Sequence, residues 1–346
     1  MKIISENSNI NFLGQRKIAL FFSCVLIILG VFSLVTKGLN LSIDFTGGSV
    51  IEVKYDQPAK LDQIRQTLTN NGHANAIVQN FGSVNDVMIR VPVNVEQSAT
   101  ADNDSENANE QSKTTEKPSE EQVSNNAQVT AKIFTYLEEN LAEGDNVTLS
   151  RVEFVGPQFG KELVEKGILA LIYALGFVMV YVALRFEWKF GVGSVIALIH
   201  DVLITIGVFA IIQMEFSLAV LAAVLAVIGY SLNDTIVVFD RIRENFRKVR
   251  ETETVGIMNL SVNQTLPRTI LTSVTTLLVL IALFVFGGDS LKGFSVALII
   301  GVLIGTYSSI FIASPVVLAL GVSKQDLIRE KVEKEGVDQV DLDLIP

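Results

Sequence analysis

The chain has 346 residues, 49% of them hydrophobic and 18% charged, with a mean hydropathy of +0.43 and a net charge of −10. So apolar a composition excludes an ordinary soluble domain and describes an integral membrane protein with one sizeable polar insertion. The single cysteine, Cys24, excludes an intramolecular disulfide, so any exported domain is held together by packing alone.

Six apolar runs approach or exceed the roughly 20 residues that cross a bilayer: 18–36, 167–184, 191–212, 216–239, 269–286 and 293–320. The first lacks a small-residue cleavage site after it and reads as an uncleaved span, preceded by a short N-terminus, 1–17. Orientation follows from the basic residues near the span ends. Arg16, Lys17, Arg185, Lys189, the basic loop 240–268 with Arg241, Arg243, Arg247, Lys248 and Arg250, and the tail 321–346 with Lys324 and Arg329 fall on one side. The short loops on the other side hold only Lys292. Both termini are therefore expected in the cytoplasm and segment 37–166 outside.

That segment reads as a folded domain. Strands are expected at Ser49–Lys54, Ala76–Phe81, Val87–Val91 and Val147–Val155, with helices at Leu61–Asn70 and Ala127–Asn140. The order β-α-β-β-α-β is the ferredoxin-like pattern. Between the third strand and second helix, 96–121 carries eight acidic side chains against Lys113 and Lys117 and almost no large apolar residue; it is expected to be a disordered insertion. In the sixth span Ala297, Gly301, Gly305, Ser309 and Ala313 recur every fourth residue, a small stripe suited to close helix packing.

Ionisable groups inside the spans carry the functional argument. Asp201, preceded by His200, lies near the middle of the third span, and Asp234 lies in the inner half of the fourth. Arg268, just after Pro267, begins the fifth. The fourth span runs inward and the fifth outward, which brings Asp234 and Arg268 to similar depth and places them to pair. A charge at the bilayer centre costs about 3 kcal/mol on insertion scales, so such groups have a partner or a task. Two readings fit: a static lock between helices, or an ion path in which protonation of Asp234 breaks its attraction to Arg268. Tyr230, Ser231 and Asn233 beside Asp234, with Thr272, Ser273, Thr275 and Thr276 on the fifth span and Tyr307, Ser308 and Ser309 on the sixth, are placed to hold a short water file. His200 and Asp201 are secondary relay or structural polar groups.

No nucleophile–base constellation, phosphate loop or metal-ligand cluster is evident, and Gly47-Gly48 and Gly287-Gly288 read as turns. The chain is not expected to be an enzyme. No cofactor is expected; the ion gradient takes that place, and a lone carboxylate with nearby hydroxyls suits protons or sodium.

Several stretches then carry a resemblance. Asp44-Phe45-Thr46-Gly47-Gly48 follows the first span, and Phe154-Val155-Gly156-Pro157-Gln158-Phe159-Gly160 precedes the second. Gly229–Thr235 runs into Phe239–Asn245, and Thr265-Leu266-Pro267-Arg268-Thr269 opens the fifth span. Together they resemble the SecF family, relatives of the RND transporters and smaller subunits of the bacterial SecDF complex. The insertion 96–121 is the one departure from the family pattern. The resemblance implies half of an RND-type bundle completed by SecD, association with the SecYEG channel, YajC and YidC, and use of the proton-motive force to complete preprotein export. The location implied is the bacterial inner membrane, in contact with lipid and with no nucleic-acid partner. It also implies that Asp234 and Arg268 serve proton flow.

Overall fold

The computed structural model describes residues 10–81, 83–91, 120–139, 146–249 and 253–323. Most of the acidic insertion, 96–119, lies outside the described residues. Its last two residues, Glu120 and Glu121, are helical: the second helix of the inserted domain spans Glu120–Glu139 and so begins earlier than its apolar face indicates.

Among the described residues, six helices are long and apolar enough to cross a membrane. The first span is Arg16–Thr36, the second Pro157–Arg185, the third Trp188–Ile212, the fourth Leu218–Lys248 and the fifth Thr254–Phe286. The sixth comprises an α-helix Asp289–Ser308, a π-helical turn Ser309–Ala313 and a last α-helical turn and a half, Ser314–Ala319. The helices outrun the apolar runs because their polar ends are amphipathic. Segment 240–268 is mostly helix, not loop. Ile242, Asn245 and Phe246 continue the buried face of the fourth span, and Ile257, Met258, Ser261 and Val262 precede Pro267 on the fifth. Of these, Ile242, Phe246, Ile257, Met258 and Val262 join Phe190, Phe239 and Val317 in a cluster at the basic end of the bundle. Pro267 accordingly sits inside the fifth helix and does not start it. Its missing N–H leaves the Asn263 carbonyl without its helical donor, a loss that the packed turns on either side offset.

The inserted domain is a four-stranded antiparallel sheet in the order β2-β3-β1-β4: β1 is Gly48–Tyr55, β2 Ile77–Phe81, β3 Ser83–Val91 and β4 Val147–Val155. That order, with Leu61–Asn70 and Glu120–Glu139 as the two helices, is the ferredoxin-like arrangement. Strand alternation separates two faces. Ile51, Val53, Val87 and Ile89 meet Ile64, Leu68, Ile133 and Leu137 of the helices. Val50 and Met88 turn the other way, towards Ile43 and Val155.

The small stripe of the sixth span packs against the fourth. A Cβ on Gly301 would lie 2.0 Å from Val227 Cγ2, and one on Gly305 3.0 Å from Ser231 Cβ, so these two backbones meet where only glycine fits.

Candidate functional site

The buried residues of the fourth span recur at helical spacing: Val220, Ala223, Val224, Val227, Ile228, Ser231, Asp234, Thr235, Val238 and Phe239. Asp234 is therefore on the face that turns into the bundle, one turn beyond Ser231, and is 4% exposed. Its Oδ2 has no hydrogen-bond partner among the described residues. Tyr230 is half-buried with its hydroxyl unpartnered, while Asn233 is exposed on another face of the helix and joins neither carboxylate.

Asp201 occupies a different environment. It is fully buried and collects polar groups from three helices. Oδ2 accepts from Ser231 Oγ of the fourth span at 2.5 Å and from Ser308 Oγ of the sixth at 2.8 Å. Oδ1 lies 2.9 Å from Nδ1 of His200, the preceding residue. The His200 ring stacks on Tyr307 at 6.2 Å between centroids, and the Tyr307 hydroxyl donates to the Ala19 carbonyl at 2.7 Å and accepts from Ser23 at 3.1 Å. His200 Nε2 has no partner among the described residues. The network thus ties the first, third, fourth and sixth spans together, with Asp234 one helical turn from its edge. Ser308 reaches Asp201 directly above the π turn, where Pro315 withholds the N–H that a regular helix would give to Phe311.

Arg268 is exposed in the isolated chain and lines a cavity of 380 Å³ with Arg185, Asp240, Glu244 and Gln264 at the basic end. No ion pair joins it to Asp234 among the described residues. The hydroxyls of the fifth span do not form the expected file. Thr272, Thr275 and Thr276 donate to carbonyls of their own helix, and Ser273 meets Thr306 of the sixth span at 2.7 Å. Ser23 is a partner that hydropathy gave no means of finding, since a lone serine in an apolar run leaves no pattern.

No group of three or more His, Cys, Asp or Glu suited to a metal ion occurs among the described residues.

Six apolar helices around a buried carboxylate network, with an α+β domain inserted after the first, define a polytopic membrane protein with ionisable groups in its bundle. Residues 136–323 match the C-terminal region of the protein export membrane proteins SecD/SecF, and residues 32–59 match the SecD/SecF GG motif. The chain is 44% identical to the protein translocase subunit SecF of Vibrio alginolyticus, over 97% of this chain and 98% of that one. It is equally 44% identical to that of Pseudomonas aeruginosa, over 95% and 97% of the two chains. The crystal structure of SecDF from Thermus thermophilus, a translocon-associated membrane protein, superposes with a TM-score of 0.73 at 32% identity. That match covers 92% of this chain and 39% of the longer SecDF chain. The chain belongs to the SecF family.

Proposed function

We propose that the chain is a protein-export subunit of the bacterial inner membrane, with both termini cytoplasmic and the inserted domain periplasmic. It pairs with SecD and uses the proton-motive force for late steps of preprotein export through the SecYEG channel, with YajC and YidC in attendance. It does so without catalytic chemistry or a cofactor of its own. Support comes from the names of its close relatives, the translocon association of the solved SecDF, and the cost of retaining carboxylates in a span.

The observation that carries the mechanism is the contrast between two carboxylates. Asp201 is saturated with donors and so is a fixed polar anchor, whereas Asp234 is buried with an oxygen unclaimed. Asp234 is the proton acceptor, and Arg268, at the mouth of the basic cavity, is its counter-charge. Ionised, the carboxylate attracts the guanidinium; protonated, it releases it, so the fourth and fifth spans have two preferred relations. A membrane potential contributes about 2.3 kcal/mol per charge per 100 mV, enough to bias such an equilibrium. A static lock would need a closed ion pair, and none closes among the described residues. His200 and Asp201 hold the third span in register with Ser231, next to the moving group.

The test is Asp234→Asn in membrane vesicles that contain the complex. Gradient-driven export and the accompanying ion flux are expected to disappear, while Arg268→Lys, which keeps the charge and loses the planar fork, retains a reduced rate. Export that stays gradient-dependent at the normal rate in Asp234→Asn overturns the assignment. Exchanging the proton gradient for a sodium gradient identifies the ion.

A further inference from the structure

The ion site leaves unused the two most distinctive sequence stretches, Asp44–Gly48 and Phe154–Gly160. They meet at the outer end of the bundle. Asp44 Oδ2 accepts from Ser42 Oγ at 2.9 Å and from the backbone N–H of Leu218 at 3.0 Å. Leu218 is the first residue of the fourth span, so Asp44 supplies a negative cap at the positive end of the helix that carries Asp234. The adjoining backbone is laced to the loop before that helix. Phe216 N–H donates to the Asn40 carbonyl at 2.8 Å and Ser42 N–H to the Phe216 carbonyl at 3.0 Å. The first turn of the second span closes on the same place: a Cβ on Gly160 would fall 2.3 Å from the Phe45 carbonyl oxygen.

A second tie comes from the sheet. Arg90 on β3 points from the face opposite the domain's helices, its side chain only 7% exposed, and forms an ion pair with Glu215 in the loop between the third and fourth spans. Its Nε has no partner among the described residues. Burying a guanidinium is costly unless a counter-charge meets it, and here the counter-charge belongs to the membrane bundle. Around this pair the domain and the bundle are separated by a cavity of 390 Å³ lined by Glu52, Met88, Arg151 and Lys292. Beside the apolar contact of Val50 and Met88 with Ile43, the domain is therefore held at these polar points.

We propose that Asp44 and the Arg90–Glu215 pair form a coupling joint that fixes the outer domain to the outer end of the fourth span. Movement of that span on ion transfer at Asp234 is thereby delivered to the domain. The joint rests on the reading of Asp234 given above. Leu218 and Asp234 are separated by about 24 Å of continuous helix at 1.5 Å per residue, so a rigid shift at one reaches the other undiminished. Asp44 and Arg90 touch no transferred ion; they are positioning residues.

The experiment uses the full chain in its complex with Cys24 replaced by serine and spin labels on the exposed Ser150 of β4 and Ala222 of the fourth span. Pulsed EPR is expected to give one narrow distance. Arg90→Glu and Glu215→Arg each broaden it, and the combined reversal restores it. Asp44→Ala also broadens it, whereas Asp44→Asn, which keeps the capping oxygen, does not. Export falls about tenfold in the single reversals, within the range of coupled sites, while ion flux persists, and the double reversal recovers export. A distance that stays narrow in every single variant overturns the joint. So does a well-assembled double reversal that restores neither distance nor export, or flux that is lost along with export. Unchanged export in Asp234→Asn instead removes the reading of the ion site and with it the delivered motion, whatever the distances show about attachment.

Discussion

Replacing Asp201 in two ways separates its charge from its hydrogen bonds. Asparagine keeps one oxygen where Ser231 and Ser308 converge and turns its amide to His200 Nδ1, which accepts once the neutral imidazole takes the Nε2–H tautomer. Its cost is expected to be under about 1 kcal/mol, as one acceptor oxygen is retained and the third contact only changes direction. Alanine strands Ser231 Oγ and His200 Nδ1, while Ser308 keeps a weaker bond to the Gly305 carbonyl at 3.2 Å. Two buried polar groups left unpaired cost about 1–3 kcal/mol each, and relief of carboxylate burial offsets part of that, leaving about 3 kcal/mol. The assay is the midpoint of denaturant unfolding of the purified protein in detergent, with wild type, Asp201→Asn and Asp201→Ala side by side. An alanine variant within about 0.5 kcal/mol of wild type, or an asparagine variant as damaged as alanine, refutes the anchor role.

Two further predictions concern packing and pH. Gly301→Ala is expected to destabilise the bundle by about 1–3 kcal/mol despite alanine's better helix propensity, because its Cβ would lie 2.0 Å from Val227 Cγ2. Val227→Ala added to it should restore most of the loss in the same unfolding assay. In the inserted domain, burial and the nearby Lys132 hold the His73 imidazole below its ordinary value of 6.5. The folded state thus binds fewer protons than the unfolded one; the stability this gives is full above 6.5 and is lost as pH falls through the depressed folded value. Unfolding midpoints measured from neutral to acidic pH should decline less steeply in His73→Asn and in Lys132→Gln than in wild type.

Hydropathy sufficed for the spans and strand alternation for the inserted domain, because both depend on near neighbours in the chain. Counting residues along antiparallel helices brings Asp234 and Arg268 to similar depth on successive spans, but no ion pair joins them among the described residues. What stayed hidden depends on distant partners. The donors to Asp201 come from residues 30 and 107 positions away, so the chain alone leaves a midplane aspartate open as a secondary relay or a structural polar group. The fifth-span threonines looked like water ligands because sequence cannot reveal that their own backbone satisfies them. The basic segment after Phe239 reads as a loop on its charge, although Ile242 and Phe246 preserve an apolar stripe beneath that charge. Pro267 suggested a boundary, and tertiary packing carried the helix across it.

The π turn Ser309–Ala313 makes the sixth span two rods in series with a swivel between them. The outer rod is clamped by its glycines to the fourth span, and the inner one, through Val317, leans on Gly193 of the third. One residue too many for a regular turn means that a single-residue deletion within 310–312 would fuse the rods into one straight helix. The two ends of that helix could then no longer suit both neighbours at once, so the surplus residue is what lets this segment serve two partners at different azimuths.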